Sequence, residues 1–284
     1  MIIMIRFIHS VPRISPTLDV AMAANARSVE QDEGMPVHMR RPLYRIAEDG
    51  TGRIVATFEE IDGFFTELSE DCPAPVTLIG VREVPSVLPL SASDVELQVR
   101  DRRGQLIGRY YIGRVTVEAP AGMQGSDDLK ADFFGYRKPY PYASEIWAAW
   151  AAGRPAASGA WMQLPPAAHA SWLHVVQNAW FTAGNKASCV YCDNSREVDI
   201  QGSELTSVAS IYCALGEAFN GPGGYFGSNP NALVDCLQQS CEFRPLHPRI
   251  HFYELSAAKL NVGGEEIDFA ISALQRFGVD VCVH

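Results

Sequence analysis

The sequence predicts two folded units in succession, an α+β unit over residues 40–190 and a second unit over 195–284 organised around a capped helix. Three observations lead there. Between residues 40 and 120, apolar and polar residues alternate in short runs broken by Gly/Asp turns, as half-buried antiparallel strands require. Between 143 and 181, tryptophans recur at helical spacing. Beyond 195, a glycine-rich stretch opens into a helix start. With 284 residues, 47% hydrophobic and 10% aromatic, the chain can bury two ordinary cores and is too apolar for bulk disorder.

Residues 1–39 show no period and read either as a loosely ordered arm or as sequence upstream of a later start. The apolar run from Met1 to Ile8 is too short to span a bilayer and is interrupted by Arg6. Leu43–Ile46, the turn Glu48-Asp49-Gly50-Thr51-Gly52 and Arg53–Ala56 predict a hairpin. Ile61–Phe65 reads as the start of a short helical turn, and Val76–Val81 as a buried strand. Val95, Leu97 and Val99 alternate with polar residues, turn at Asp101–Gly104 and resume from Leu106 to Val117, a second and longer hairpin. Helices are expected at Ala143–Ala152, with Ile146, Trp147 and Trp150, and at Ala170–Phe181, with Trp172, Leu173, Val176 and Trp180 on one stripe. Such tryptophans are expected in the core. The polar segment 183–194 marks the boundary between the units.

Gly223-Gly224-Tyr225-Phe226-Gly227-Ser228-Asn229-Pro230 reads as a bend that holds Tyr225 and then starts a helix, with Asn229 as N-cap and Pro230 in the first turn. Leu233, Cys236 and Leu237 form its apolar stripe. Asn231, Val234, Asp235 and Gln238 share the opposite side at i, i+3, i+4 and i+7. A carboxylate and amides beside an aromatic loop suit contact with another molecule.

Charge narrows the partner. The formal net charge is −10, and residues 193–284 alone carry 12 acidic and 5 basic side chains. That argues against direct nucleic-acid binding, which needs a basic surface, and favours a basic partner drawn in by long-range attraction. No membrane contact is expected. Seven irregularly spaced cysteines fit a reduced, cytoplasmic protein better than a disulfide framework.

Catalytic and metal signatures are weak. Cys189 and Cys192 form a CxxC without a second pair or histidines at ligand spacing. Asp127-Asp128 reads as a solvated turn. His169 and His174 are five apart, and Pro248 separates His247 from His251. With no nucleophile elbow or phosphate loop, neither an enzyme nor a cofactor is expected.

The stretch Tyr225-Phe226-Gly227, Asn229, Ala232-Leu233, Asp235-Cys236-Leu237 resembles the loop and second helix of the barstar family of intracellular ribonuclease inhibitors. The resemblance continues through Asp199-Ile200-Gln201-Gly202 with Leu205, Val208, Ile211 and Leu215, through Ile250–Tyr253, and through Gly278–Val283. It covers roughly 198–284, while nothing before about 195 shares it. It implies an α/β unit with a three-stranded parallel sheet near 197–201, 249–254 and 279–283, and helices around it. It also implies an immunity protein that neutralises a basic toxin, a ribonuclease first of all, by plugging its active site with residues 223–239. Tyr225, Gly227, Asn229 and Asp235 are the matching contact positions. Asn231 stands where the family has an aspartate, Val234 where it has a tryptophan, and Ala273 near its further glutamate. Asn231 and Val234, with Gln238, complete the helix face around Asp235, while Ala273 belongs to the last helix. Glu242 and Glu217 are candidates to restore the thinned charge. The alternative is a non-nuclease toxin recognised mainly through the N-terminal unit.

Overall fold

Turn chemistry and strand alternation account for the first sheet. The computed structural model describes residues 43–67, 74–84, 89–118, 128–134, 138–185, 196–243 and 248–284, without side chains at 74 and 241–243. The predicted arm, Asp127, and the Cys189–Cys192 motif lie outside the described residues.

β1 (Tyr44–Glu48) and β2 (Ile54–Phe58) form the first predicted hairpin, with Tyr44 opposite Phe58. β3 (Glu60–Asp62), β4 (Ala74–Ile79), β5 (Leu90–Arg100), β6 (Leu106–Val117) and β7 (Leu129–Phe133) complete a seven-stranded sheet in the order β2-β1-β5-β6-β7-β4-β3, every neighbour antiparallel. The β5–β6 turn is fixed by Asp101, whose carboxylate accepts the backbone N–H groups of Arg103 and Gln105 at 3.0 and 2.7 Å. This local bonding is what makes aspartate a turn residue.

The helical turn expected at Ile61–Phe65 is instead an edge strand followed by a bridge. Glu60–Asp62 pairs with Thr77–Ile79, and Phe65 bridges to Lys138. A distant strand edge satisfies this backbone better than a single isolated turn could, and it places Ile61 and Phe64 in the core.

α1 (Ala143–Ala152) and α2 (His169–Thr182) follow the predicted tryptophan pattern. Trp147, Trp150, Trp161, Trp172 and Trp180 are all buried. Trp147 lies so close to β6 that a Cβ at Gly108 would stand 2.5 Å from the indole. Its Nε1 donates to the Tyr110 hydroxyl at 2.8 Å, and the His174 Nε2 meets the same oxygen at 3.1 Å. α2 is docked to β6 by Asn178, whose side-chain amide accepts the Arg109 N–H and donates to the Arg109 carbonyl at 2.9 and 2.8 Å. A side chain here substitutes for a missing neighbouring strand.

The C-terminal third contains β8 (Glu197–Gln201), α3 (Val208–Asn220), α4 (Pro230–Phe243), β9 (Arg249–Tyr253), α5 (Leu255–Val262), α6 (Gly264–Arg276) and β10 (Val281–Val283). Its sheet is three-stranded and wholly parallel, in the order β10-β9-β8. Parallel neighbours need long crossovers, and the helices supply them. α3 begins with a reciprocal cap between Ser207 and Ser210, and packs against α2. The buried apolar side chains of the N-terminal sheet, α1, α2 and the C-terminal third form one continuous cluster.

Candidate functional site

The start of α4 follows from its capping residues. The Asn229 side-chain oxygen accepts the Ala232 N–H at 3.0 Å, and the Asn229 carbonyl accepts the Leu233 N–H at 2.9 Å. Pro230 opens the helix, where its missing N–H removes no bond. The two faces then separate as their chemistry demands. Leu233, Cys236 and Leu237 are buried, and burial pushes the Cys236 thiol up to about 12, leaving it uncharged. Asn231, Asp235 and Gln238 are exposed on the other side, with Val234 half-buried beside them. Asp235 makes no ion pair among the described residues. The Glu242 side chain lies outside the described residues.

The preceding loop is held from below. Gly227 has φ +91°, and a Cβ there would stand 2.7 Å from the Leu233 nitrogen, so this close turn onto α4 requires glycine. Phe226 stacks on Phe219 of α3 at 3.8 Å between ring centres, and the Asn220 amide donates to the Tyr225 carbonyl at 2.6 Å. At Gly216 the loop backbone passes so near that a Cβ would stand 2.3 Å from the Gly224 oxygen.

Two sequence expectations change here. Tyr225 is not displayed: it is 3% exposed. Phe181 of α2 meets its ring edge-on at 5.4 Å, and the Gln177 amide donates to its hydroxyl at 3.4 Å. Burial is the main cause of the raised phenol pKa. The cover comes from a helix more than forty positions earlier in the chain, which no local pattern could announce.

Glu217, considered as a spare surface carboxylate, is a buried connector. Its Oε2 accepts the Gly159 N–H at 2.7 Å and the Trp161 indole N–H at 3.2 Å, while its Oε1 accepts the Gly223 N–H at 3.1 Å. Burial raises its pKa, and the backbone and indole donors pull the other way. One side chain on α3 thereby ties the loop to the segment between α1 and α2. Gly223 also lies against the N-terminal half, where a Cβ would approach the Trp150 ring to 3.2 Å.

Gln177 and Phe181 carry little signal in the sequence because they lie off the apolar stripe Trp172–Trp180. Phe181 lies off that stripe and stays 45% exposed, and a large apolar residue on a polar face was the available signal. Together the geometry offers a carboxylate flanked by amides, a set of hydrogen-bond acceptors and donors suited to guanidinium or ammonium groups. Among the described residues, no group of three or more His, Cys, Asp or Glu side chains gathers as a metal site, and no helix is long and apolar enough to cross a membrane.

No curated protein and no solved structure matches the chain. The match that does exist is confined to the part that carries the exposed helix. Residues 195–278 match the family model of barstar, the barnase inhibitor; β8, β9 and the helices lie within that range, and with β10 just beyond it they have the architecture that the resemblance implied.

Proposed function

We propose that the protein is an immunity protein that binds a basic toxin, a ribonuclease first of all, and blocks its active site with the outward face of α4. The observation that carries this reading is Asp235, exposed and unpaired among the described residues, between Asn231 and Gln238 on a helix whose opposite face is locked into the core. A ribonuclease cleft binds phosphate with cationic side chains, so a carboxylate placed there occupies the position of the substrate's charge. Charge-assisted bonds are strong when the partner's surface excludes water from them.

The acidity of residues 193–284 adds long-range attraction for such a partner. Barnase and its inhibitor are a measured case of steered, charge-coupled association, with close charge pairs coupled by about 1.5–7 kcal/mol. Gly227 and Asn229 act by fixing the helix start, and Val234 supplies apolar contact beside the carboxylate. Producing cells would need the protein in the cytoplasm, where a toxin is made before export.

The test is Asp235→Ala in the full chain. Its expected effect is a loss of at least 100-fold in affinity for barnase, or for a toxin encoded beside the gene, with an unchanged circular dichroism spectrum. Undiminished neutralisation by the folded variant would remove the charged-plug reading.

A further inference from the structure

α2, which lies outside the family match, runs alongside the loop that leads into α4. Its Phe181 is 45% exposed, although the ring also packs on Tyr225. Around it a surface groove of about 500 Å³ is lined by Arg109, His174, Gln177, Asn178 and Thr182. Tyr225 is the link between this groove and α4, since its ring touches Phe181 while Ser228 and Asp235 lie close enough to act on its hydroxyl.

The loop is not arranged to swing Tyr225 outward. The Asn220 bond to the Tyr225 carbonyl, the Glu217 bond to the Gly223 N–H, and the tight passage of Gly224 over Gly216 all hold it in place. Breaking buried hydrogen bonds of this kind without replacement is costly. The aromatic ring available to a visitor beside α4 is therefore the one above Tyr225.

We infer that Phe181 of α2 is an aromatic anchor for the same basic ribonuclease that α4 engages, making the binding surface a composite of the N-terminal and C-terminal halves. The inference rests on the reading of α4 given above. Aromatic side chains, phenylalanine among them, are enriched in the buried cores of protein interfaces. The occupant is set by continuity and charge. Phe181 packs on Tyr225, which Asp235 of α4 lies near, and Arg109 at the groove is paired with Glu96 at 3.9 Å, so a ribonuclease seated on Asp235 would extend its rim over the groove. Tyr225 acts through Phe181 as a positioning residue beneath it.

The experiment measures binding of barnase to the full-length protein by calorimetry, with inhibition of RNA cleavage as the second readout. The variants are Phe181→Ala, Asp235→Ala and both together. Phe181 is half-exposed but covers Tyr225, so its truncation should lower the unfolding temperature only modestly, and binding is compared where every variant is folded. The expected result is a 10-fold or greater loss of affinity for Phe181→Ala, recovered largely by Phe181→Tyr, together with a loss for Asp235→Ala. If Asp235→Ala weakens binding while Phe181→Ala stays within twofold of the parent, the composite surface is wrong and the α4 reading stands. If Phe181→Ala weakens binding but Asp235→Ala does not, the shared surface is equally overturned. Absence of any barnase binding by the parent protein overturns the ribonuclease assignment and this inference with it.

Discussion

Glu217→Ala tests how the two halves of the molecule are joined. The parent carboxylate is 6% exposed and accepts three N–H groups, from Gly159, Gly223 and the Trp161 indole. A buried donor left without an acceptor costs about 1–3 kcal/mol. Trp161 is fully buried and should incur a cost near the middle of that range. Gly159 and Gly223 are only half-buried, so water can recover part of theirs. Against these losses stands relief from keeping a carboxylate out of water, which is why burial raises its pKa. The net expectation is a destabilisation of about 2–4 kcal/mol. Urea unfolding at pH 7, followed by tryptophan fluorescence, measures it directly. A loss below about 1 kcal/mol would refute the assignment of Glu217 as the connector.

The pH dependence gives an independent check on the same residue. Its folded pKa is raised above the ordinary 4.5, so its contribution is full below 4.5 and is lost as pH rises through the folded value. Relative to Glu217→Gln, the parent protein should therefore gain stability as pH falls from 7 toward 4.5. An unchanged difference between the two across that window would contradict the stated burial.

Other outcomes can be measured with the same unfolding assay. His174, half-buried at the groove and within hydrogen-bond distance of Tyr110, has its pKa pushed down to about 3, with desolvation the first cause and Lys138 the second. A depressed pKa supplies stability above the unfolded value near 6.5 that is lost as pH falls through the folded one. His174 should thus cost the fold up to about 2 kcal/mol between pH 6.5 and 5, and His174→Leu should flatten that slope. Asn229→Ala removes the cap of α4 and is expected to cost about 1 kcal/mol; an effect under a few tenths would mean the cap is not what starts the helix. Gly227→Ala places a Cβ against Leu233 at positive φ, and should cost more than the cap variant while lowering partner affinity through displacement of α4. Asn178→Ala removes both bonds to the Arg109 backbone, in a setting open to water, so a loss of about 1 kcal/mol is expected and full retention of stability would argue against Asn178 as the docking residue.

Much of this molecule is written in local patterns. The Glu48–Gly52 and Asp101–Gly104 turns, the alternation through β5 and β6, and the stripe of α2 depend on neighbours a few positions away, so they could be read along the chain. The division of α4 into a buried Leu233–Cys236–Leu237 face and an exposed Asn231–Asp235–Gln238 face follows from helical periodicity in the same way. The edge strand Glu60–Asp62 was missed for the complementary reason. Three residues carry little periodic signal, and their partner at Thr77–Ile79 is reached only through the folded sheet.

That a capped helix turns one carboxylate outward could be read from neighbouring residues, because a helix period and an N-cap are local properties. Which aromatic ring near the loop stays open to solvent was settled by the fold. Phe181 of α2 covers Tyr225, a contact between residues far apart in the chain, and Glu217 ties the two halves together. Contacts of that kind depend on shape at long range, which a one-dimensional pattern does not carry.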